Sequence, residues 1–269
     1  MPYITKTLIT SEACDASPDK RLSICLLADG FSFAQLSSDG ELLAFGEASG
    51  QHEEGMPELT RDIKEYFSSV HVHPLSFSDM QLIVSSDENV WVPDEIYQPE
   101  YNHQYLQFVG GNSESLFTSH SEVVSATAVF GASEVLATSF KVVLPGLSVT
   151  NQHVCMAELA SQFTSGTVML SHWRDGRVDL SIYNEGRYLF GNTLAFSEES
   201  AVMFNFVELM KSYGLESDET TLLMCGDVSR ERYARLRPYF PKVALWSGNA
   251  TLEGQFSSFR AYRHALLLV

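Results

Sequence analysis

Residues 22–48 read LSICLLADGFSFAQLSSDGELLAFGEA, three short apolar runs separated by Asp29-Gly30 and Asp39-Gly40. An Asp-Gly pair between such runs is the strongest short hairpin signal, because a type I′ turn needs positive φ at both central positions. A three-stranded antiparallel meander is therefore expected. The pattern returns at residues 167–196, TVMLSHWRDGRVDLSIYNEGRYLFGNTLAF, with turns expected at Asp175-Gly176 and Glu185-Gly186, both at an offset of 146 residues from the first pair.

The segment after each meander repeats as well. In MPELTRDIKEYFSSV (residues 56–70), Leu59, Ile63, Tyr66, Phe67 and Val70 share one helical stripe, with Pro57 in the first turn. In SEESAVMFNFVELMKSYGL (residues 197–215), Val202, Phe206, Leu209, Met210 and Tyr213 do the same, between an expected Ser197 cap and a Gly214 stop. Each helix precedes a short apolar strand ending in Asp, QLIVSSD (residues 81–87) and TLLMCGD (residues 221–227). Both halves thus read β-β-β-α-β, with the fourth strand expected parallel to the first. That is a ribonuclease H-like unit, a mixed sheet with helices on its faces. The first half adds a strand near residues 126–130, a helix near 133–143 and a strand near 147–150; the second ends with a helix near 231–239 and a strand near 243–246. The expected division is 1–155 and 156–269, with the two subdomains facing each other across a cleft.

The chain has 269 residues, 45% of them hydrophobic, enough for a substantial core. Seventeen basic residues against 34 acidic ones leave a formal charge of -17. Such a chain is repelled by phosphate backbones and anionic membranes, so neither nucleic acid nor membrane insertion is expected. Arg230, Arg232, Arg235, Arg237 and Lys242 cluster in RERYARLRPYFPK; the spacing reads as the solvated face of a helix that turns Tyr233, Leu236 and Tyr239 inward. Cys14, Cys25, Cys155 and Cys225 form no CxxC pair and are expected as buried, reduced thiols. No apolar run suggests a signal peptide or membrane span, so the cytoplasm is the expected compartment.

Two ribonuclease H-like units in tandem resemble the actin-like ATPase superfamily, which includes actin, heat-shock 70 chaperones and sugar kinases. More narrowly, LSICLLADGFSFAQL, VWVPDEIY, YLFGNTLAF and RPYFPKVALW resemble a bacterial family known as domain of unknown function 3822. The family brings no activity with it. The superfamily resemblance implies three nucleotide-holding places. The first is an Asp-x-Gly-Thr-like loop, where backbone N–H groups and a hydroxyl hold phosphate and the Asp orients magnesium. Here Asp29-Gly30-Phe31-Ser32 stands, with bulky Phe31 in place of a small residue. The second is an Asp-x-Gly-Gly-like loop, and Arg174-Asp175-Gly176-Arg177 has one glycine. The third is a Gly-Gly adenosine turn, and Cys225-Gly226-Asp227 again has one.

Loops that lack the close approach phosphates require point to a scaffold or adaptor without cofactor that binds another protein. The alternative is an ATP- and Mg2+-dependent kinase or ATPase, with Asp29 and Asp175 holding magnesium and Ser32 and the Gly226–Asp227 turn holding nucleotide. Arg174 and Arg177 could meet an anion in the cleft, although hairpin arginines more often meet only water. His71 and His73 lack a third ligand at metal-binding spacing. His153 and His172 are scattered, and no HExxH, GxSxG or P-loop motif occurs. Glu53-Glu54 and Glu198-Glu199 are explained by helix starts. Gly110-Gly111 reads as an ordinary turn, and the oligomeric state stays open.

Overall fold

The structure is a computed structural model that describes all residues except 1, 2, 13, 15–18, 51–54, 248–251, 253–255, 257, 258 and 269. Glu53 and Glu54 lie outside the described residues. The first meander is strands β2 (Lys20–Leu27), β3 (Gly30–Leu36) and β4 (Leu42–Ser49), followed by helix α1 (Met56–Ser69) and strand β5 (Phe77–Val84). Strand β1 (Ile4–Thr10) precedes them and pairs with β4. Together with β9 (Ser148–Asn151), these strands form a sheet of order β1-β4-β3-β2-β5-β9, in which β5 runs parallel to β2.

The second half repeats this plan. Strands β10 (Thr167–Arg174), β11 (Arg177–Asn184) and β12 (Arg187–Ala195) lead into α5 (Glu199–Ser212), β13 (Thr221–Gly226), α6 (Arg230–Leu236) and β14 (Lys242–Leu245). The sheet order is β12-β11-β10-β13-β14, with β13 parallel to β10. Without β1, the first sheet has the same connectivity, so the chain is two ribonuclease H-like subdomains. The strand expected near 126–130 is β8 (Ala126–Gly131), but it leaves the main sheet. It lies between β6 (Asn89–Pro93) and β7 (Leu116–Ser121) in a separate three-stranded sheet, and α2 (Asn102–Phe108) lies between β6 and β7 in the chain.

The helical stripes pack as their spacing requires, except that Tyr213, expected on the second stripe, is the C-cap of α5 and stands exposed. Leu59, Ile63, Tyr66 and Phe67 of α1 are buried with Phe31 and with Phe140 of α3 (Glu134–Val143). Val202, Phe206 and Met210 of α5 are buried with Trp173 and Phe240. Each fully buried apolar side chain contributes roughly 1.5–3 kcal/mol. Between the two sheets lies a third core built on α4 (Gln152–Ala160) and the C-terminal 3-10 segment Ala261–Leu268. The expected division at 155/156 falls inside α4.

Local differences from the expectations have physical causes. The two-residue turn between β2 and β3 is Ala28-Asp29, because Leu27 pairs with Gly30. Only Glu185-Gly186 has positive φ at both central positions, +50° and +73°. The N-cap of α5 is Glu198 rather than Ser197, while Gly214 does end that helix, at φ +65°. Tyr239 is 52% exposed rather than inward, since α6 ends at Leu236 and the chain turns away. All four cysteines are free; Cys14, Cys155 and Cys225 are buried as expected, whereas Cys25 is half-buried at the cleft wall, its thiol pushed up to about 12 by desolvation.

Candidate functional site

A cleft of about 820 Å³ opens between the halves. Its walls take the ends of β2 and β10, the turn after β5, the Gly131–Ser133 approach to α3, and Gly226-Asp227 after β13. Among the residues singled out by sequence, Ser32, Arg174, Asp175, Gly226 and Asp227 line the cleft, whereas Asp29, Gly30, Gly176 and Arg177 do not. The Asp29 carboxylate accepts a hydrogen bond from Lys6 Nζ of β1 at 2.9 Å instead. Phe31 is buried in the first subdomain's core, edge-on to Tyr66 and Phe140, and leaves the cleft open.

The glycines have backbone reasons of their own. A Cβ on Gly226 (φ +81°) would come within 2.3 Å of the Trp173 carbonyl oxygen, where β13 closes on β10. A Cβ on Gly30 would come within 2.0 Å of the Ala48 carbonyl oxygen. Close strand approach thus requires both positions, whatever the cleft holds.

The densest polar cluster lies at the base of the cleft, around Asp179 of β11. This carboxylate is fully buried. Its Oδ2 accepts from His172 Nδ1 at 3.0 Å and Arg174 Nε at 2.8 Å. Its Oδ1 accepts from Arg174 Nη2 at 2.8 Å, Thr193 Oγ1 at 2.7 Å and Gln152 Nε2 at 3.3 Å. Burial alone would raise its pKa, but the bonds from His172 and Arg174 outweigh burial and hold it well below the usual carboxylate range. His153 Nε2 lies 3.0 Å from Thr193 Oγ1, whose own proton is committed to Asp179, so the imidazole donates there. Burial lowers the His153 pKa to about 4, and its Nδ1 is a buried acceptor with no hydrogen-bond partner among the described residues.

This cluster also ties the halves together. Arg174 Nη2 reaches Asp87 Oδ1 at 3.2 Å, and Arg177 Nε reaches Asp87 Oδ2 at 2.5 Å. Asp87 follows β5, so one first-half carboxylate sits between the two second-half arginines. Gln152 at the start of α4 accepts from Ser86 N at 3.0 Å and donates to Ser86 O at 2.8 Å. Arg174 and Arg177, the candidate anion contacts, thus meet carboxylates of the chain itself rather than only water, and of the two only Arg174 lines the cleft. Asp87, Gln152, His153, His172, Asp179 and Thr193 were not recognised as a group from sequence. The His172–Asp179 contact had a signal, since the two stand equidistant from the Asp175-Gly176 turn and pair across it. Among the described residues no His, Cys, Asp and Glu cluster could hold a metal ion, and His71 and His73 flank the exit from α1.

Two ribonuclease H-like subdomains closing on a cleft define the actin-like ATPase fold, and solved structures of that fold match along almost the whole chain. A Bacteroides thetaiotaomicron protein with actin-like ATPase fold and unknown function superposes with a TM-score of 0.74 at 16% identity, over 96% of this chain and 99% of that one. The PilM-PilN type IV pilus biogenesis complex gives a TM-score of 0.55 at 14% identity, over 92% and 96%. The ethanolamine utilization protein EutJ from Carboxydothermus hydrogenoformans gives 0.51 at 8% identity, over 93% and 90%. The chain belongs to the DUF3822 family, described as proteins of unknown function, whose model matches residues 11–243. No curated protein matches it. Among the described residues no helix is long and apolar enough to cross a membrane.

Proposed function

We propose that this chain is a cytoplasmic, actin-like-fold scaffold or adaptor that has lost ATPase activity and binds another protein. The observation that carries this reading is the Asp87 carboxylate held between Arg174 and Arg177. The cations nearest the second phosphate loop are committed to a bridge between the halves, and Asp29 is engaged by Lys6 outside the cleft. The single glycines of the three loops have structural reasons independent of nucleotide. The pilus biogenesis neighbour of the same fold is likewise a complex between proteins, PilM with PilN.

A second reading, an ATP- and Mg2+-dependent kinase or ATPase, is favoured by the cleft itself. At about 820 Å³ it is within the size range of small-molecule sites, and Asp175 and Asp227 stand on its wall. Thermal melting of the intact chain in millimolar Mg-ATP separates the two. A nucleotide at a hundred times its dissociation constant stabilises by roughly 2.7 kcal/mol. The scaffold reading expects no shift; a clear one reverses the order.

A further inference from the structure

In a chain of net charge -17, much of the arginine is held by carboxylates. Arg174 and Arg177 are tied to Asp87, Arg232 to Glu199 and Arg235 to Glu231. Among the described residues Arg21, Arg187, Arg230, Arg237 and Arg260 have no carboxylate partner, and two of these, Arg230 and Arg260, share one groove with Arg263. That groove, of about 660 Å³, runs along β14, with Arg230, Arg260 and Arg263 around an apolar floor of Val243, Ala244 and Leu245. No carboxylate lines it among the described residues. Arg230 and Arg260 have no ion-pair partner among the described residues, and Arg263 reaches Asp227 only at 3.9 Å.

The groove also borders a sheet edge. β14 ends the five-stranded sheet and pairs with β13 alone. Trp246 N donates to Met224 O across that pair, and strand alternation therefore turns the N–H and C=O of Val243 and Leu245 outward. Tyr233 Oη donates to the Val243 carbonyl at 3.0 Å, which leaves the rung at Leu245, a residue 46% exposed.

From this juxtaposition we infer that the β14 edge captures an extended, acidic segment of a partner protein. The incoming strand bonds to the Leu245 rung, its apolar side chains on one face cover Leu245, and its carboxylates meet Arg230, Arg260 and Arg263. A free phosphate would use the arginines and leave the apolar floor and strand edge unused. A polyanion or anionic membrane would likewise use the arginines and leave the strand edge unused. The inference rests on the adaptor reading and names the partner's chemistry.

The test is a random dodecapeptide library panned against the intact chain, followed by fluorescence anisotropy on the enriched peptides. Winners carry two or more Asp or Glu alternating with apolar residues. Arg230→Glu with Arg260→Glu weakens them by about tenfold or more, and added salt weakens them further. Leu245→Pro, which removes an outward N–H and no rung to β13, weakens them as well. Absence of enriched peptides, winners without acidic residues, or equal affinity for the charge-reversed protein overturns the inference. Displacement of the peptides by inorganic phosphate or by phosphatidylglycerol vesicles overturns it in favour of those ligands. Self-association abolished by Leu245→Pro assigns the edge to a second copy and also overturns it. Failure of the peptides with no Mg-ATP shift leaves the adaptor reading standing, whereas an Mg-ATP shift removes that reading whatever the peptides do.

Discussion

The two hairpins that flank the cleft share a backbone and differ in chemistry. Leu27 pairs with Gly30 to close the first, and Arg174 pairs with Arg177 to close the second. Matched on those closing pairs, Cys25 opposite Ser32 corresponds to His172 opposite Asp179. The turn residues Ala28-Asp29 correspond to Asp175-Gly176. The two aspartates therefore stand at different turn positions, which accounts for Asp175 lining the cleft while Asp29 does not. One hairpin is closed by small neutral groups and the other by a buried charge with five hydrogen bonds.

The largest contrast is expected between Asp179→Ala and Ser32→Ala. Removing Asp179 leaves the His172 donor unpaired and the Arg174 charge with only Asp87, a loss of about 3–5 kcal/mol in urea unfolding. Ser32→Ala is expected to change stability by under about 1 kcal/mol. Equal effects would break the comparison.

Acid should act next, through the α4 histidine that joins the cluster around the second hairpin. The folded-state pKa of His153 is depressed from 6.5 to about 4, so the unfolded chain takes up the proton first as pH falls. Stability is fully present above pH 6.5 and declines until about pH 4, by roughly 3 kcal/mol. His264, lowered to about 4 by burial and by Arg263, adds to the decline in the same window. The Cys25 thiol, raised to about 12, contributes nothing there. Urea unfolding between pH 7 and 4 measures the slope, which His153→Gln should reduce.

Gly226→Ala drives a Cβ into the Trp173 carbonyl and should destabilise by about 1–3 kcal/mol. Gly176→Ala meets nothing closer than 3.6 Å, and its loss comes from positive φ alone, about 1 kcal/mol. Thermal melts of the two variants sharpen the comparison at the turns. Asp29→Ala is the smallest change. Its exposed pair with Lys6 predicts no measurable shift in Tm, and a large one would place Asp29 in a role that this geometry does not support.

The repeated strand and helix plan was legible because Asp-Gly and Glu-Gly pairs punctuate apolar runs buried on both faces and each helix carries one apolar stripe. Elements without that contrast were harder to read. β1 is exposed along most of its length and has no buried side to imprint an alternating pattern. α4 is buried nearly all round, so no polar stripe outlines it. The Asp179 cluster draws on β10, β11, β12, α4 and the turn after β5, and only its His172 pairing is local enough to read from turn geometry. The turn shift between Asp29 and Asp175 escaped because the Asp-Gly pairs align in sequence one step out of phase with the backbone.

Gln152 takes both the N–H and the C=O of Ser86 and also touches Asp179. Its carboxamide closes off the end of β5 within the first half and hands one hydrogen bond across to the second, beside the bridge from Asp87 to Arg174 and Arg177. Glutamate there would set an acceptor against the Ser86 carbonyl and a second anion against Asp179, loosening that crossing while keeping the shape of the side chain.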